Sequence, residues 1–189
     1  MNNAYQLKKK GDTFLAKKDY EKALEYYEKS IQEDSKNPFF WYAKGKVLHK
    51  LHRYKEALES LDTALSLNPS LDRPWYTKGN IFRDLHMPDE AINAFQNAIK
   101  NDPRSAYAYY GIGTVYARQG QHQAAINAFD HALSINSHLD RPWAGKGDVY
   151  LSMGELEKAR ECFYQALENN IWNVNAQKGL AQINIMEKV

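Results

Sequence analysis

Two histidines and one cysteine are the residues of this sequence that first suggest chemistry at a metal or a nucleophilic site. His49 and His52 stand three residues apart near a helix end, a spacing that can place two metal ligands on one helix face. No cysteine or carboxylate completes the ligand set, so a solvated histidine pair is the simpler interpretation. Cys162 has no histidine three or four residues away and is interpreted as a structural thiol. The glycines form no compact phosphate-binding loop. The sequence therefore predicts no catalytic residue, cofactor or metal.

A fixed period runs through the elements that would position any site. Glycines recur every 34 residues, at Gly11, Gly45, Gly79, Gly113 and Gly147. Alanines recur with the same step, at Ala23, Ala57, Ala91, Ala125 and Ala159. A constant period of this length is typical of proteins built from stacked structural repeats.

Aromatic and apolar residues keep the same register. Four residues before each glycine come Leu7, Trp41, Trp75, Tyr109 and Trp143, and four after each alanine come Tyr27, Leu61, Phe95, Phe129 and Phe163. Pro69 and Pro103 close two of the repeats. The pattern resembles the tetratricopeptide repeat (TPR), whose signature is W-x₂-L-G-x₂-Y, then A-x₃-F, then P. The resemblance implies an all-α fold: a right-handed superhelical solenoid of five 34-residue helix-turn-helix repeats plus a C-terminal capping helix.

The resemblance also predicts one continuous solenoid domain, residues 1–189. Its predicted parts are the repeats 4–37, 38–71, 72–105, 106–139 and 140–173, followed by the capping helix 174–189. Ala176, Leu180 and Ile183 are expected to cover the last repeat. The chain departs from the family pattern just before the glycines, where the usual leucine is replaced by Lys10, Lys44, Lys78 and Lys146.

Helical geometry supports this interpretation independently. Trp41, Gly45 and Leu48 fall on one stripe at about 100° per residue. Small residues at a helix crossing permit close approach of the axes, which explains the recurring glycine and alanine. Side chains before or at helix starts are expected to cap them, at Asn37, Asp72, Ser105 and Asp140. Gly120 and Gly154 are expected in turns between paired helices.

In this family the first helix of each pair lines a concave groove. Residues that lie roughly 120° from the packing stripe of these helices are predicted to face it. The predicted protein-binding groove consists of Phe39, Tyr42, Lys46, His49, Lys50, Arg73, Tyr76, Asn80, Arg83, Tyr107, Tyr110, Thr114, Arg118 and Arg141. Asp84 and Asp148 form an acidic minority on the same faces. Tyr42, Tyr76 and Tyr110 have an alternative role, which is packing between neighbouring first helices.

The predicted function is that of a non-enzymatic scaffold or adaptor. The groove would bind an extended or helical segment of a partner protein, through aromatic anchors and through basic residues that pair with acidic groups. A full chaperone-binding carboxylate clamp of this family is rejected, because Asp12, Ala43 and Thr77 stand where the clamp requires other residues.

Two alternatives remain open. Aromatic and arginine residues in a groove can also bind RNA, although the net charge of only +2, from 25 basic and 23 acidic residues, disfavours nucleic acid. Self-assembly is the second alternative, because Ile185, Met186 and Val189 make the C-terminal helix unusually apolar.

Cysteine usage and hydropathy predict a soluble cytoplasmic protein. One cysteine permits no internal disulfide, which suits a reducing compartment. The first residues lack an apolar run of the signal-peptide type, and no stretch approaches the length of a membrane span.

Overall fold

The computed structural model describes residues 3–187, and within that range the chain forms helices and turns without a strand. The all-helical fold predicted from the sequence is confirmed. The helices of the described range are α1 (Asn3–Ala16), α2 (Tyr20–Glu33), α3 (Pro38–Lys50), α4 (Tyr54–Leu67), α5 (Asp72–Asp84), α6 (Pro88–Asn101), α7 (Ala106–Arg118), α8 (His122–Ile135), α9 (Asp140–Ser152), α10 (Leu156–Asn169) and α11 (Val174–Met186). No described helix is long and apolar enough to cross a membrane.

Contacts between helices define two compact units. The first unit contains α1 to α6, the second contains α7 to α11, and the division falls after Asn101. In each unit every helix packs on the next, and first helices of successive pairs also touch, as α3 does with α5 and α9 with α7 and α11. The exact number of repeats and their boundaries stay a prediction.

The first unit buries its core between α2, α3, α4 and α5. Leu48, Leu61 and Ile81 have no exposed surface, and Tyr42 packs partly buried against the same cluster. This is the stripe that the helical period predicts, with the charged residues on the remaining faces.

The second unit is closed by α11. Ala176 and Ile183 are fully buried against the cluster around Phe163, and Leu180 packs there partly exposed. Asn173 caps α11 by accepting a hydrogen bond from the Ala176 amide at 2.9 Å. Val189 lies outside the described residues.

The recurring glycines make room for the recurring large side chain. A Cβ added at Gly79 would lie 2.6 Å from the Phe95 ring, and one at Gly113 would lie 2.5 Å from Phe129, both far inside van der Waals contact. Gly145 faces the same Phe129 ring, at 2.7 Å from its added Cβ. The glycines therefore allow the backbone of one helix to approach the phenylalanine ring of its partner helix, which is how the predicted close packing of the helices is achieved.

Phe163 in the second unit is held in the same way between two backbones. Gly147 faces one part of the ring, at 2.5 Å from its added Cβ, and Gly179 of α11 lies against its other side. The positions equivalent to Gly145 and Gly179 hold Ala43 and Thr77 in the first unit.

Left-handed backbone ends the first helix of each pair. Within the described range, the residues with φ between 58° and 77° are Lys18, His52 and His86 in the first unit and Gly120 and Gly154 in the second. The next amide donates to the carbonyl five residues back, as from Arg53 to Leu48 at 3.0 Å. This is the Schellman arrangement, in which glycine is favoured because it has no Cβ.

Helix starts differ from the expectation at three of four positions. Asn37 caps α3 as predicted, by accepting from the Phe39 amide at 3.0 Å. Ser105 makes no side-chain cap bond, and Asp72 and Asp140 are themselves the first helical residues. A proline two residues after each aspartate removes an amide that a capping carboxylate would use. Asp140 instead accepts from Asn173 at 2.7 Å.

The lysines that depart from the family pattern form a repeated network. Lys78 lies over the Trp75 ring at 5.0 Å and pairs with Asp62 at 2.5 Å. Lys146 lies over Trp143 at 5.6 Å and pairs with Asp130 at 2.6 Å. The cation thus replaces the usual apolar contact with a cation–π contact and an ion pair, each worth about 0.5–1 kcal/mol at exposed sites.

Candidate protein-binding surfaces

The predicted groove residues of α3 and α5 form what we call the first-unit surface: Phe39, Tyr42, Lys46, His49, Lys50, Arg73, Tyr76, Asn80 and Arg83. Phe39 is 50% exposed, and Lys46, Lys50 and Arg73 are exposed as well. These four side chains lie outside the core, as the helical angle predicts.

The two tyrosines of the first-unit surface have a mixed role. Tyr42 and Tyr76 are half-buried, and the Tyr76 ring centroid lies 5.8 Å from that of Phe95. Burial raises the pKa of Tyr42, although a hydrogen bond with Thr77 and the nearby Arg73 charge oppose that rise. Both rings therefore pack partly against the core, and the Tyr42 hydroxyl is itself desolvated where it bonds Thr77.

A carboxylate on α5 contacts a histidine and an arginine. His49 Nε2 lies 2.9 Å from Asp84 Oδ2, which joins α3 to α5, and Arg83 lies 3.6 Å from the other oxygen. This part of the first-unit surface is internally paired. The pairing lowers the free charge that a partner would meet there.

In the second unit, predicted groove residues line a cavity of about 240 Å³. Its walls come from α7, α8, α9 and the start of α11. We call it the second-unit pocket, and it is lined by Tyr110, Thr114, Ala117, Arg118, Phe129, Arg141, Ala144, Gly145, Asp148, Asn173 and Asn175. Arg118 and Arg141 are exposed, whereas Phe129 is fully buried.

Asp148 is the acidic group of the second-unit pocket. Among the described residues it has no hydrogen-bond or ion-pair partner, whereas Asp12, at the equivalent position of α1, binds Lys8 at 2.8 Å and the Tyr27 hydroxyl at 2.9 Å. The Asp148 side chain reaches solvent, but the surrounding protein atoms limit its hydration. This desolvation raises the pKa of Asp148 to about 6.

Sequence reasoning found part of the pocket. The structure brings Tyr110, Thr114, Arg118 and Arg141 together, while Tyr107 is 52% exposed and does not line the cavity.

Ala117 and Ala144 also lie on the predicted faces, and four pocket residues were missed: Phe129, Gly145, Asn173 and Asn175. The repeat pattern assigns Phe129 to packing and places Asn175 in the capping helix, and it gives Gly145 and Asn173 no binding role. The spacing of 34 residues between Gly145 and Gly179 is a signal that could have marked a second repeated glycine, which in the structure lies beside Phe129 at Gly145.

The residues considered for chemistry have separate surroundings. His52 lies beyond the end of α3, in the left-handed turn, with Nδ1 2.8 Å from the Tyr54 hydroxyl. His52 therefore does not share a helix face with His49, and the two do not form the pair of ligands that a spacing of three residues could give. Cys162 is buried, and burial raises the pKa of its thiol to about 11, which disfavours the nucleophilic thiolate.

Paired helices that interlock through a glycine and a large side chain, at a constant period, define the class of helical repeat proteins. Family models for the tetratricopeptide repeat match residues 76–138 and 116–183. A model described as "Anaphase-promoting complex, cyclosome, subunit 3" matches residues 1–64. No curated protein matches the chain significantly.

Solved structures agree with the family models. A crystal structure of MamA is 30% identical, with a TM-score of 0.71, and the match covers 84% of this chain and 93% of MamA. The chain belongs to the tetratricopeptide repeat family, whose members are generally protein-interaction modules.

Two further structures, each 21% identical, share the fold. A thermophilic TPR protein of Thermus thermophilus has a TM-score of 0.79, over 96% of this chain and 99% of that one. YrrB, described as a TPR protein with an unusual peptide-binding site, has a TM-score of 0.68, over 95% of this chain and 93% of its own.

Proposed function

We propose that this protein is a non-enzymatic, cytoplasmic adaptor that binds an extended or helical segment of a partner protein, with the second-unit pocket as its main anchor. The observation that carries the proposal is a cavity lined by two exposed arginines, Arg118 and Arg141, together with Tyr110. Arginine and tyrosine are the residue types enriched at the energetic centres of protein interfaces. YrrB offers an analogy, since a protein of the same fold has a peptide-binding site.

The partner segment carries an acidic group. A guanidinium pairs with a carboxylate through two parallel hydrogen bonds, which fixes orientation as well as charge. The first-unit surface contributes a secondary contact through Phe39 and Arg73, because both are exposed.

Affinity capture with matched variants tests this function. The tagged full-length chain, Arg141→Ala and the control Asp130→Asn are used to capture proteins, which are compared by quantitative mass spectrometry. Asp130 is the matched control because it pairs with Lys146 and does not line the pocket. A partner depleted by Arg141→Ala and retained by Asp130→Asn supports the proposal. Equal capture by all three contradicts it, and capture abolished by nuclease would favour the RNA-binding alternative.

Self-association is a second candidate function, favoured by apolar residues at both ends of α11. Trp172 is 78% exposed, and the others are Ile171, Val174, Ile185 and Met186. A second copy is the proposed occupant, since a two-fold axis would bring the same apolar surface together from both chains. Light scattering over a range of concentrations should show a mass that rises above one chain for the wild type and not for Trp172→Asp. A constant single-chain mass for both would eliminate this function.

A further inference from the structure

The second-unit pocket contains charges of both signs, and its negative charge is uncompensated. Asp148 has no ion-pair or hydrogen-bond partner among the described residues, although it lies on the wall of a cavity. A carboxylate that has lost part of its hydration gains more than a solvated one from a cation, because the attraction is less screened by water.

The other ionisable groups that line the pocket are Tyr110 and Arg118 on α7 and Arg141 on α9, and α11 and its approach contribute the neutral Asn173 and Asn175. Within the described part of the chain, neither arginine forms an ion pair with Asp148. Seven residues separate Arg141 from Asp148 on α9, which is about 10 Å along the helix axis at 1.5 Å per residue. The pocket therefore presents Arg141 and Asp148 about 10 Å apart along α9.

We propose that the partner segment carries a basic side chain that binds Asp148 and an acidic side chain that binds Arg141, about three residues apart in an extended chain. The spacing follows from about 3.3–3.6 Å per extended residue. Asp148 is thus the specificity-determining residue of the site, and the preferred partner has mixed charge and not only acidic groups. This inference rests on the proposed function, because it assigns the chemistry of a segment bound in the same pocket.

A peptide selection followed by a double-mutant cycle tests the inference. Random dodecapeptides are displayed and selected on the full-length chain, and a selected peptide is then synthesised with its basic residue as Lys or as norleucine. Binding to wild type, Asp148→Asn and the control Asp130→Asn is measured by fluorescence anisotropy at pH 7.5. Circular dichroism establishes that each variant folds.

We expect selected peptides to share a basic and an acidic residue about three positions apart. Norleucine should weaken binding to wild type and Asp130→Asn about fivefold, in line with a partly exposed charge pair, and should have no effect with Asp148→Asn. The lysine preference of the wild type should also fade below pH 6, as the carboxylate becomes protonated, while Asp148→Asn shows no such change.

The outcomes separate this inference from the proposed function. Peptides that lose affinity with Arg141→Ala but show the same lysine preference for Asp148→Asn as for wild type would overturn the role of Asp148 and leave the adaptor function in place. Selected peptides with no basic residue, or with basic and acidic residues seven positions apart as a helix would require, would also overturn the inference. No enriched peptide at all, or binding indifferent to both variants, would overturn the proposed function itself.

Discussion

The two units carry carboxylates on the helix faces predicted to bind, Asp84 in the first and Asp148 in the second, and these carboxylates differ in their partners. Asp84 lies between His49 and Arg83, so the carboxylate has partners within the protein. Asp148 lies in a pocket without such a partner among the described residues. Charge on a predicted binding face is therefore open to a partner only where no group of the protein pairs with it.

The units also differ in where they use glycine. The left-handed turns hold Lys18, His52 and His86 in the first unit but glycine at both positions of the second. The second unit therefore places glycine, which has no Cβ, at its left-handed turn positions. The first unit has side chains there, and their Cβ atoms make the left-handed backbone less favourable.

The largest expected effect tests the glycine and ring packing in both units. We expect Gly147→Leu to destabilise the protein by about 3 kcal/mol or more, because overpacking alone costs about 1–3 kcal/mol and Phe163 is also held by Gly179. Gly45→Leu should cost less, since it meets the aliphatic Leu61 side chain and the Ala57 carbonyl oxygen and not an aromatic ring held between two backbones. Urea denaturation gives both values. A larger loss for Gly45→Leu would reverse this part of the comparison.

The closing helix of the second unit gives the next effect. Ile183→Ala should cost about 2–4 kcal/mol of unfolding free energy, because the side chain is fully buried and its removal leaves a cavity. Ile185→Ala, on the exposed side of the same helix, is the control and should change stability by less than about 0.5 kcal/mol. Thermal and chemical denaturation measure both. Similar small effects of the two variants would mean that α11 does not stabilise the unit.

The turns should respond in opposite directions in the two units. Gly120→Ala should destabilise by about 1–2 kcal/mol, because a Cβ is unfavourable in left-handed backbone. His86→Gly should stabilise by up to about 1 kcal/mol, since it removes that same strain from the first unit. Differential scanning calorimetry of the two variants compares them. A stabilising alanine at 120 would show that backbone strain does not control these turns.

The smallest effect concerns the pH dependence of Asp148. Its folded pKa of about 6 lies above the ordinary value of 3.8, so the ionised carboxylate opposes folding above pH 6, and this penalty fades as the pH falls through the folded value. Asp148→Asn should therefore be slightly more stable than wild type at pH 7.5, by an amount that shrinks toward pH 4.5. Asp84→Asn should show no such gain, because it loses the interaction with His49. Denaturation at the two pH values measures the free energy of unfolding of each variant. A stability gain for Asp148→Asn that grows on acidification would contradict the raised pKa of Asp148.

Much of the helical fold could be predicted because its cause is periodic. The recurrence of Gly147 and Phe163 with their equivalents fixes which helix faces meet, and the structure places them in contact. The 34-residue period does not show which atoms fill the space between the paired helices. The second backbone against each ring comes from Gly145 at Phe129 and from Gly179 at Phe163, and the equivalent positions hold alanine or threonine in the first unit.

The candidate site was less predictable because partners on neighbouring helices decide the state of each charge. Helical angles placed both His49 and Asp148 on the predicted face, but only the packing of α3 on α5 brings His49 to Asp84. The ion pairs of Asp62 with Lys78 and of Asp130 with Lys146 could have been predicted from the sequence, because the same separation of 16 residues recurs in different repeats.

The most direct test of the central claim is the affinity of the captured partner for two matched arginine variants, one in each unit. Calorimetric titration compares wild type, Arg141→Ala in the second-unit pocket and Arg73→Ala on the first-unit surface, with the stability of each measured in parallel. We predict stabilities within about 0.5 kcal/mol of wild type, a loss of about 2 kcal/mol in binding for Arg141→Ala, and a smaller loss for Arg73→Ala. Unchanged affinity of a normally folded Arg141→Ala would contradict the claim that the second-unit pocket anchors the partner.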